Sequence, residues 1–159
     1  MHVKNEKRKI YLIAIAIPLA VGGLAAFLTR DGVKAFENIP QSNLTPPGVV
    51  FSVVWTILYT LMGVSLGRIW RAPESDRQMR ALSVFLYQLI FNFFWSIFFF
   101  NMGAYGFSFL WILGLWVLIG LMILAFYPVD KVAAYLQVPY FLWVTFATYL
   151  TYAAWKLNG

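Results

Sequence analysis

Cysteine is absent from the chain, and histidine occurs once, as His2. The first absence excludes disulfides and thiolate metal sites, and the second excludes a histidine metal cluster. Charge is also scarce. Only 11% of the 159 residues are charged, where soluble domains carry roughly 25%. No carboxylate, histidine or lysine falls inside the long apolar runs. That argues against a proton-coupled transporter, a charged-ring ion channel or a hydrolase. The net charge of +6 comes from cations clustered between uncharged runs. This is a membrane-topology pattern and argues against a nucleic-acid partner. No metal or other cofactor is expected.

What is present is hydrophobic: 62% of the chain. Four runs lack any charge: Ile10 to Thr29, Asn38 to Gly67, Ala81 to Val129 and Val132 to Trp155. A helix needs about 20 residues to cross the hydrocarbon core. The third run, 49 residues long, therefore holds two helices. Its break is Asn101-Met102-Gly103-Ala104-Tyr105-Gly106, rich in turn formers. The expected fold is an all-α membrane protein, a single domain (1-159) forming a bundle of five transmembrane helices. They span about 10-29, 47-70, 80-100, 106-127 and 132-155. Lys7-Arg8-Lys9 before the first run resembles a signal peptide. The run is longer than a signal core and four spans follow, so the first helix is expected to be retained.

Lysine and arginine set the orientation. Nine lie at one end (Lys4, Lys7, Arg8, Lys9, Arg68, Arg71, Arg77, Arg80, Lys131) and three at the other (Arg30, Lys34, Lys156). The expectation is an integral, multi-pass protein of a bacterial cell membrane with its N-terminus cytoplasmic. Residues 30-45 would form a polar loop, an outer lid. Trp70, Tyr127, Tyr135 and Trp155 lie near span ends, as interfacial anchors.

The second span opens on Thr45-Pro46-Pro47-Gly48. Thr45 is a candidate helix cap, and a proline suits the first turn. Phe51, Trp55 and Tyr59 then recur every four residues along one face. At about 1.5 Å per residue, Trp55 and Asn92 lie roughly 12 Å below the outer end and Trp143 roughly 18 Å below it. Gln88, Asn92 and Ser96 form a polar stripe on the third span. Pro139, Tyr140, Trp143, Ala147 and Leu150 form another on the last. Pro18, Gly22, Gly23 and Ala26 give the first span a small-residue face for close helix contact. Two readings stay open. The polar and aromatic residues either join helices and fill the core, or they wall a flat apolar cavity for a planar lipophilic ligand.

Three motifs decide the resemblance: Pro46-Pro47-Gly48 leading to Val54-Trp55-Thr56-Ile57-Leu58-Tyr59 and Met62-Gly63; Asn92-Phe93-Phe94-Trp95 with Phe98-Phe99; and Pro139 to Thr148. In this order, over about residues 10–156, the chain resembles the translocator proteins, also called tryptophan-rich sensory proteins or peripheral-type benzodiazepine receptors, in their bacterial form. The resemblance implies a receptor, often a homodimer in the lipid bilayer, that binds protoporphyrin IX or related tetrapyrroles and benzodiazepine-type ligands. The implied pocket holds Pro46, Phe51, Trp55, Tyr59, Asn92, Trp95, Ser96, Trp143, Ala147 and Leu150. Some bacterial members are reported to promote light-dependent porphyrin breakdown, which would make Trp55 and Trp143 the catalytic pair. Transport of porphyrin or sterol is the alternative. Leu150, Tyr152 and Lys156 fit a loose sterol-recognition pattern. Gly63-Val64-Ser65-Leu66-Gly67 fits the small-residue dimer pattern, with packing inside the bundle preferred. The resemblance places the dimer contact on the third helix.

Overall fold

The computed structural model of the protein describes residues 1–159. The chain is helical throughout: α1 (His2–Glu37), α2 (Gly48–Trp70), α3 (Asp76–Ser96), α4 (Tyr105–Phe126), α5 (Lys131–Leu136) and α6 (Val138–Asn158). Four helices are long and apolar enough to cross a membrane: α1, α2, α3 with its continuation to Asn101, and α4. Helix α6, at 21 residues, has the length to cross beside them.

The last span departs from the expected single helix. It breaks at Gln137, two residues before Pro139. A proline has no N–H to continue the helical ladder, so α5 ends and α6 starts afresh. Short α5 is tied to α2 at one end of the bundle. Ser65 donates to the Ala133 carbonyl at 3.0 Å, and Arg68 pairs with both carboxylate oxygens of Asp130 at 3.1 Å. Asp130 also caps α5 through the Ala133 N–H. Partial burial alone would raise its carboxyl, but that N–H and Arg68 outweigh burial and hold it below its ordinary value.

Close packing is concentrated between α1 and α2. Gly63 and Gly67 are both buried. A Cβ at Gly63 would overlap the Ile15 backbone, and one at Gly67 would overlap the Tyr11 ring. The small-residue pattern on α2 is therefore a seam within the bundle, as preferred from the sequence. Gly22 on α1 likewise makes room for the Tyr59 ring.

The expected loop at 30-45 starts eight residues later than its first position, because α1 continues to Glu37. Phe36 on that extension packs on Phe99, Phe100 and Tyr105 at 5.0, 5.7 and 6.3 Å. The apolar contact stabilises two further helical turns that a charge count reads as loop. The remaining crossing, residues 38–47, is pinned over the bundle. Asn158 donates to the Pro40 carbonyl at 2.8 Å, and Gln41 donates to the Phe36 carbonyl. Thr45 does not cap α2; the N-cap is Pro47, with no side-chain cap bond. At the far end of α3 the helix widens to π geometry over Ile97–Asn101. It then turns at Gly103, whose φ of +59° is cheap only for glycine. Trp70, Tyr127, Tyr135 and Trp155 are all exposed near helix ends, as anchors require.

Candidate functional site

Two adjoining cavities lie in the half of the bundle below the 38–47 crossing. The larger, about 290 Å³, is bounded by α1, α2 and the end of α3. The smaller, about 80 Å³, runs on toward α6 beneath Pro46 and Gln41. Val33, Gly48, Phe51, Trp95 and Phe100 line both. Jointly they reach the lower end of the roughly 300–1,000 Å³ typical of ligand pockets.

The expected pocket residues divide among distinct places. Phe51, Trp55, Tyr59, Trp95 and Ser96 line the larger cavity, while Pro46, Phe51, Trp95, Ala147 and Leu150 line the smaller. Trp143 lines neither. It sits in an outer groove between α2 and α6, with Val54, Leu58 and Phe146. Its ring meets Trp55 edge-on, centroids 6.4 Å apart at 88°. The two indoles are in edge-to-face contact, and of the two only Trp55 lines the larger cavity.

Asn92 is also outside the cavities. It is 2% exposed and held within a buried chain. Tyr59 Oη donates to Asn92 Oδ1 at 2.8 Å, Asn92 Nδ2 donates to Tyr140 Oη at 2.8 Å, and Tyr140 Oη donates to Gln88 Oε1 at 2.7 Å. The chain joins α2, α3 and α6. Three such interhelical bonds contribute about 2 kcal/mol in total. The Asn92 amide thus holds helices together. Tyr59 presents its ring to the cavity and its hydroxyl away from it. Gln88 and Asn92 thus join helices, while Trp55 and Trp95 wall a cavity.

The wall carries two aromatic clusters, one on α2 and one at the end of α3. Trp55 stacks on Tyr59 at 5.4 Å and 26°, and Trp95 stacks on Phe99 at 5.0 Å and 23°. Phe51 links Trp55 to Trp143, at 6.4 and 5.4 Å. Trp95 Nε1 is buried with no partner, a donor that an acceptor on a ligand would satisfy. The smaller cavity has Glu37, Gln41 and Thr45 near the crossing and Thr151 on α6, and the larger has the hydroxyls of Thr29, Ser52, Thr56 and Ser96. Glu37 forms no ion pair; the structure's salt bridge is Arg68–Asp130.

Several lining residues lie on α1, where the sequence pointed only to helix contact. Gly23 and Ala26 line the larger cavity with Leu19, Ala25 and Thr29. A Cβ at Gly23 would meet nothing within 4 Å, whereas one at Gly22 would overlap Tyr59. The same small-residue signal thus serves two ends: contact at Gly22 and open space at Gly23. Gly23, Ala26, Ser52 and Thr56 are exposed as well as cavity-lining. The larger cavity therefore opens sideways between α1 and α2, on the bundle's membrane flank.

The sterol pattern is not assembled. Leu150 lines the smaller cavity. Tyr152 is exposed, packs on Phe109 and lies beneath the Lys156 ammonium at 5.6 Å. Residues two apart on a helix face different ways, so the three do not share one surface.

The TspO/MBR family model matches residues 14–156 of the chain. Among curated proteins, the chain is 34% identical to the tryptophan-rich protein TspO of Chlorobaculum tepidum, covering 97% of this chain and 99% of that one. It is 32% identical to the tryptophan-rich sensory protein of Cereibacter sphaeroides, covering 93% and 89%. It is 27% identical to the human translocator protein, covering 83% and 79%.

Proposed function

Because the chain belongs to the TspO/MBR family of membrane proteins, we propose that it is a membrane receptor for a flat, lipophilic tetrapyrrole such as protoporphyrin IX. The observation that carries this reading is the cavity walled by Trp55, Tyr59, Phe51 and Trp95. An extended aromatic face suits a planar macrocycle, and each stacked pair contributes about 0.5–1.5 kcal/mol beyond area burial. Benzodiazepine-type ligands fit the same description. The nine-to-three cation asymmetry supports a cytoplasmic N-terminus, and the bacterial relatives support a bacterial cell membrane.

The test is quenching of tryptophan fluorescence by protoporphyrin IX in the detergent-solubilised protein. Saturable quenching with a sharp stoichiometry is expected; quenching no greater than that of free tryptophan would end the proposal. The two indoles separate in the same assay. Trp55→Ala is expected to weaken binding about tenfold, the worth of one large aromatic contact. Trp143→Ala, behind it, is expected to cost threefold or less by the same scale. An effect of Trp143→Ala equal to that of Trp55→Ala would contradict the geometry.

Glu37 bears on ligand orientation. Its carboxylate repels the two propionates of protoporphyrin IX, which would point away from it. Glu37→Gln is expected to tighten protoporphyrin IX by roughly threefold at low salt. The dimethyl ester of the porphyrin, titrated alongside, is expected to bind both proteins alike.

Light-dependent breakdown of the bound porphyrin is the second reading, favoured by the direct contact of Trp55 with Trp143. An excited macrocycle that takes an electron from Trp55 and passes it to dioxygen returns to its ground state beside superoxide, with the hole shared between Trp55 and Trp143; the reduced oxygen species is then the oxidant that attacks the ring. Illumination is expected to bleach the porphyrin band more slowly in Trp143→Phe than in the parent, against a dark control. Equal rates would remove Trp143 from the chemistry.

A further inference from the structure

The cation-rich end of the bundle uses its arginines unevenly. Arg68 is held by Asp130. Arg71 hydrogen-bonds the Tyr11 hydroxyl at 3.3 Å and lies over its ring at 5.3 Å. Arg77 and Arg80 have neither an ion pair nor an aromatic partner. They stand three residues apart on α3, hence on one face of it. Both line a groove of about 310 Å³ whose remaining walls are Leu124, Ala125 and Pro128 at the end of α4.

The composition of this groove is specific. A neighbouring cleft between α1 and the α2–α3 turn carries Lys7 and Arg71, but also Glu6 and Glu74. The α3–α4 groove carries two cations and no acid. Its apolar side continues into the membrane. Leu124 is 70% exposed, and Leu121 and Val117, at helical spacing before it, are exposed too. Two guanidiniums at the head of an apolar track match a molecule with an anionic head and a hydrocarbon tail. Guanidinium binds phosphate bidentately, and the boundary of a bilayer presents such molecules at high density.

We propose that this groove binds one anionic phospholipid, with its phosphodiester between Arg77 and Arg80 and an acyl chain along Leu124, Leu121 and Val117. The occupant is a lipid rather than free phosphate because the walls other than the two arginines, Leu124, Ala125 and Pro128, are hydrocarbon. The site is separate from the tetrapyrrole cavity, which lies toward the opposite end of the bundle.

Native mass spectrometry of the full chain in detergent, titrated with phosphatidylglycerol, tests it. Phosphatidylglycerol adducts are expected at lower lipid concentration than adducts of phosphatidylcholine with the same chains. In Arg77→Gln/Arg80→Gln the concentration needed is expected to rise by roughly twentyfold, at about fivefold per arginine. Leu124→Ser is expected to weaken binding severalfold with both arginines in place. Lys4→Gln/Lys7→Gln, removing two other cations of the same end, is expected to bind like the parent. Parent-like binding by the arginine variant, equal binding of the two lipids, or equal loss in the lysine variant would each overturn the site. So would full competition by glycerol 3-phosphate, which lacks the hydrocarbon.

Discussion

Gly63→Ala is expected to destabilise the bundle by about 3 kcal/mol or more, at or above the upper end of the usual cost of overpacking. A single methyl group is a small change, and its expected effect comes from what it meets. The added Cβ would overlap the Cα of Ile15, a backbone atom on a neighbouring helix. Backbone cannot rotate aside, so α1 must move away from α2 along the seam. Gly67→Ala meets a tyrosine ring, which can tilt, and its cost is expected to be smaller. Gly23→Ala meets nothing within 4 Å and is expected to be near neutral. Thermal unfolding of the three detergent-solubilised variants, followed by circular dichroism, checks the order. Equal midpoints for Gly63→Ala and Gly23→Ala would show that the α1–α2 seam is not closely packed.

Gly23→Phe is expected to weaken protoporphyrin IX binding by about a hundredfold with the bundle intact. The residue lines the larger cavity, and open space surrounds its α-carbon. A phenylalanine ring there displaces on the order of 120 Å² of ligand contact. At about 25 cal/mol per Å² that is about 3 kcal/mol, a little over two decades in affinity. The variant touches neither Trp55 nor Trp95, so their fluorescence remains a readout. Unfolding midpoints near the parent's, together with lost quenching, are the expected pair of results. Retained binding would mean that the ligand occupies some other part of the protein, the α2–α6 groove beside Trp143 being the first to examine.

The spans were legible because each apolar run is bounded by charge, and bilayer thickness sets their length. The Gly63–Gly67 seam was legible because only small residues permit so close an approach. Depth counting puts Trp55, Asn92 and Trp143 in one slab, yet it assigns no direction around the helix axis. Asn92 turned to the Tyr59–Tyr140 chain and Trp143 turned to the outer groove for that reason. The helical stretch from Arg30 to Glu37 was hidden because its stability comes from Phe36 docking on Phe99 and Phe100, residues more than 60 positions away in sequence. The break at Gln137 had a local signal, Pro139, which the uninterrupted apolar run masked. Glu37 and Gln41 were missed as lining residues because a polar segment before a span reads as solvated loop. The contribution of α1 was half visible. Its small-residue face was read, but of the two adjacent glycines that line the cavity, Gly22 receives the Tyr59 ring and Gly23 faces open space.

The sideways opening at Gly23, Ala26, Ser52 and Thr56 changes the currency in which affinity is measured. A lipophilic molecule equilibrates first with the bilayer, and a cavity facing that phase samples its mole fraction in lipid, not its molarity in water. Adding empty liposomes to a titration then dilutes the ligand as seen by the protein and lowers the apparent aqueous affinity, while the affinity per mole of lipid stays constant. Two laboratories using different amounts of detergent would report different constants for the same molecule and both be right. The number that travels between them is the one expressed as moles of ligand per mole of lipid or detergent.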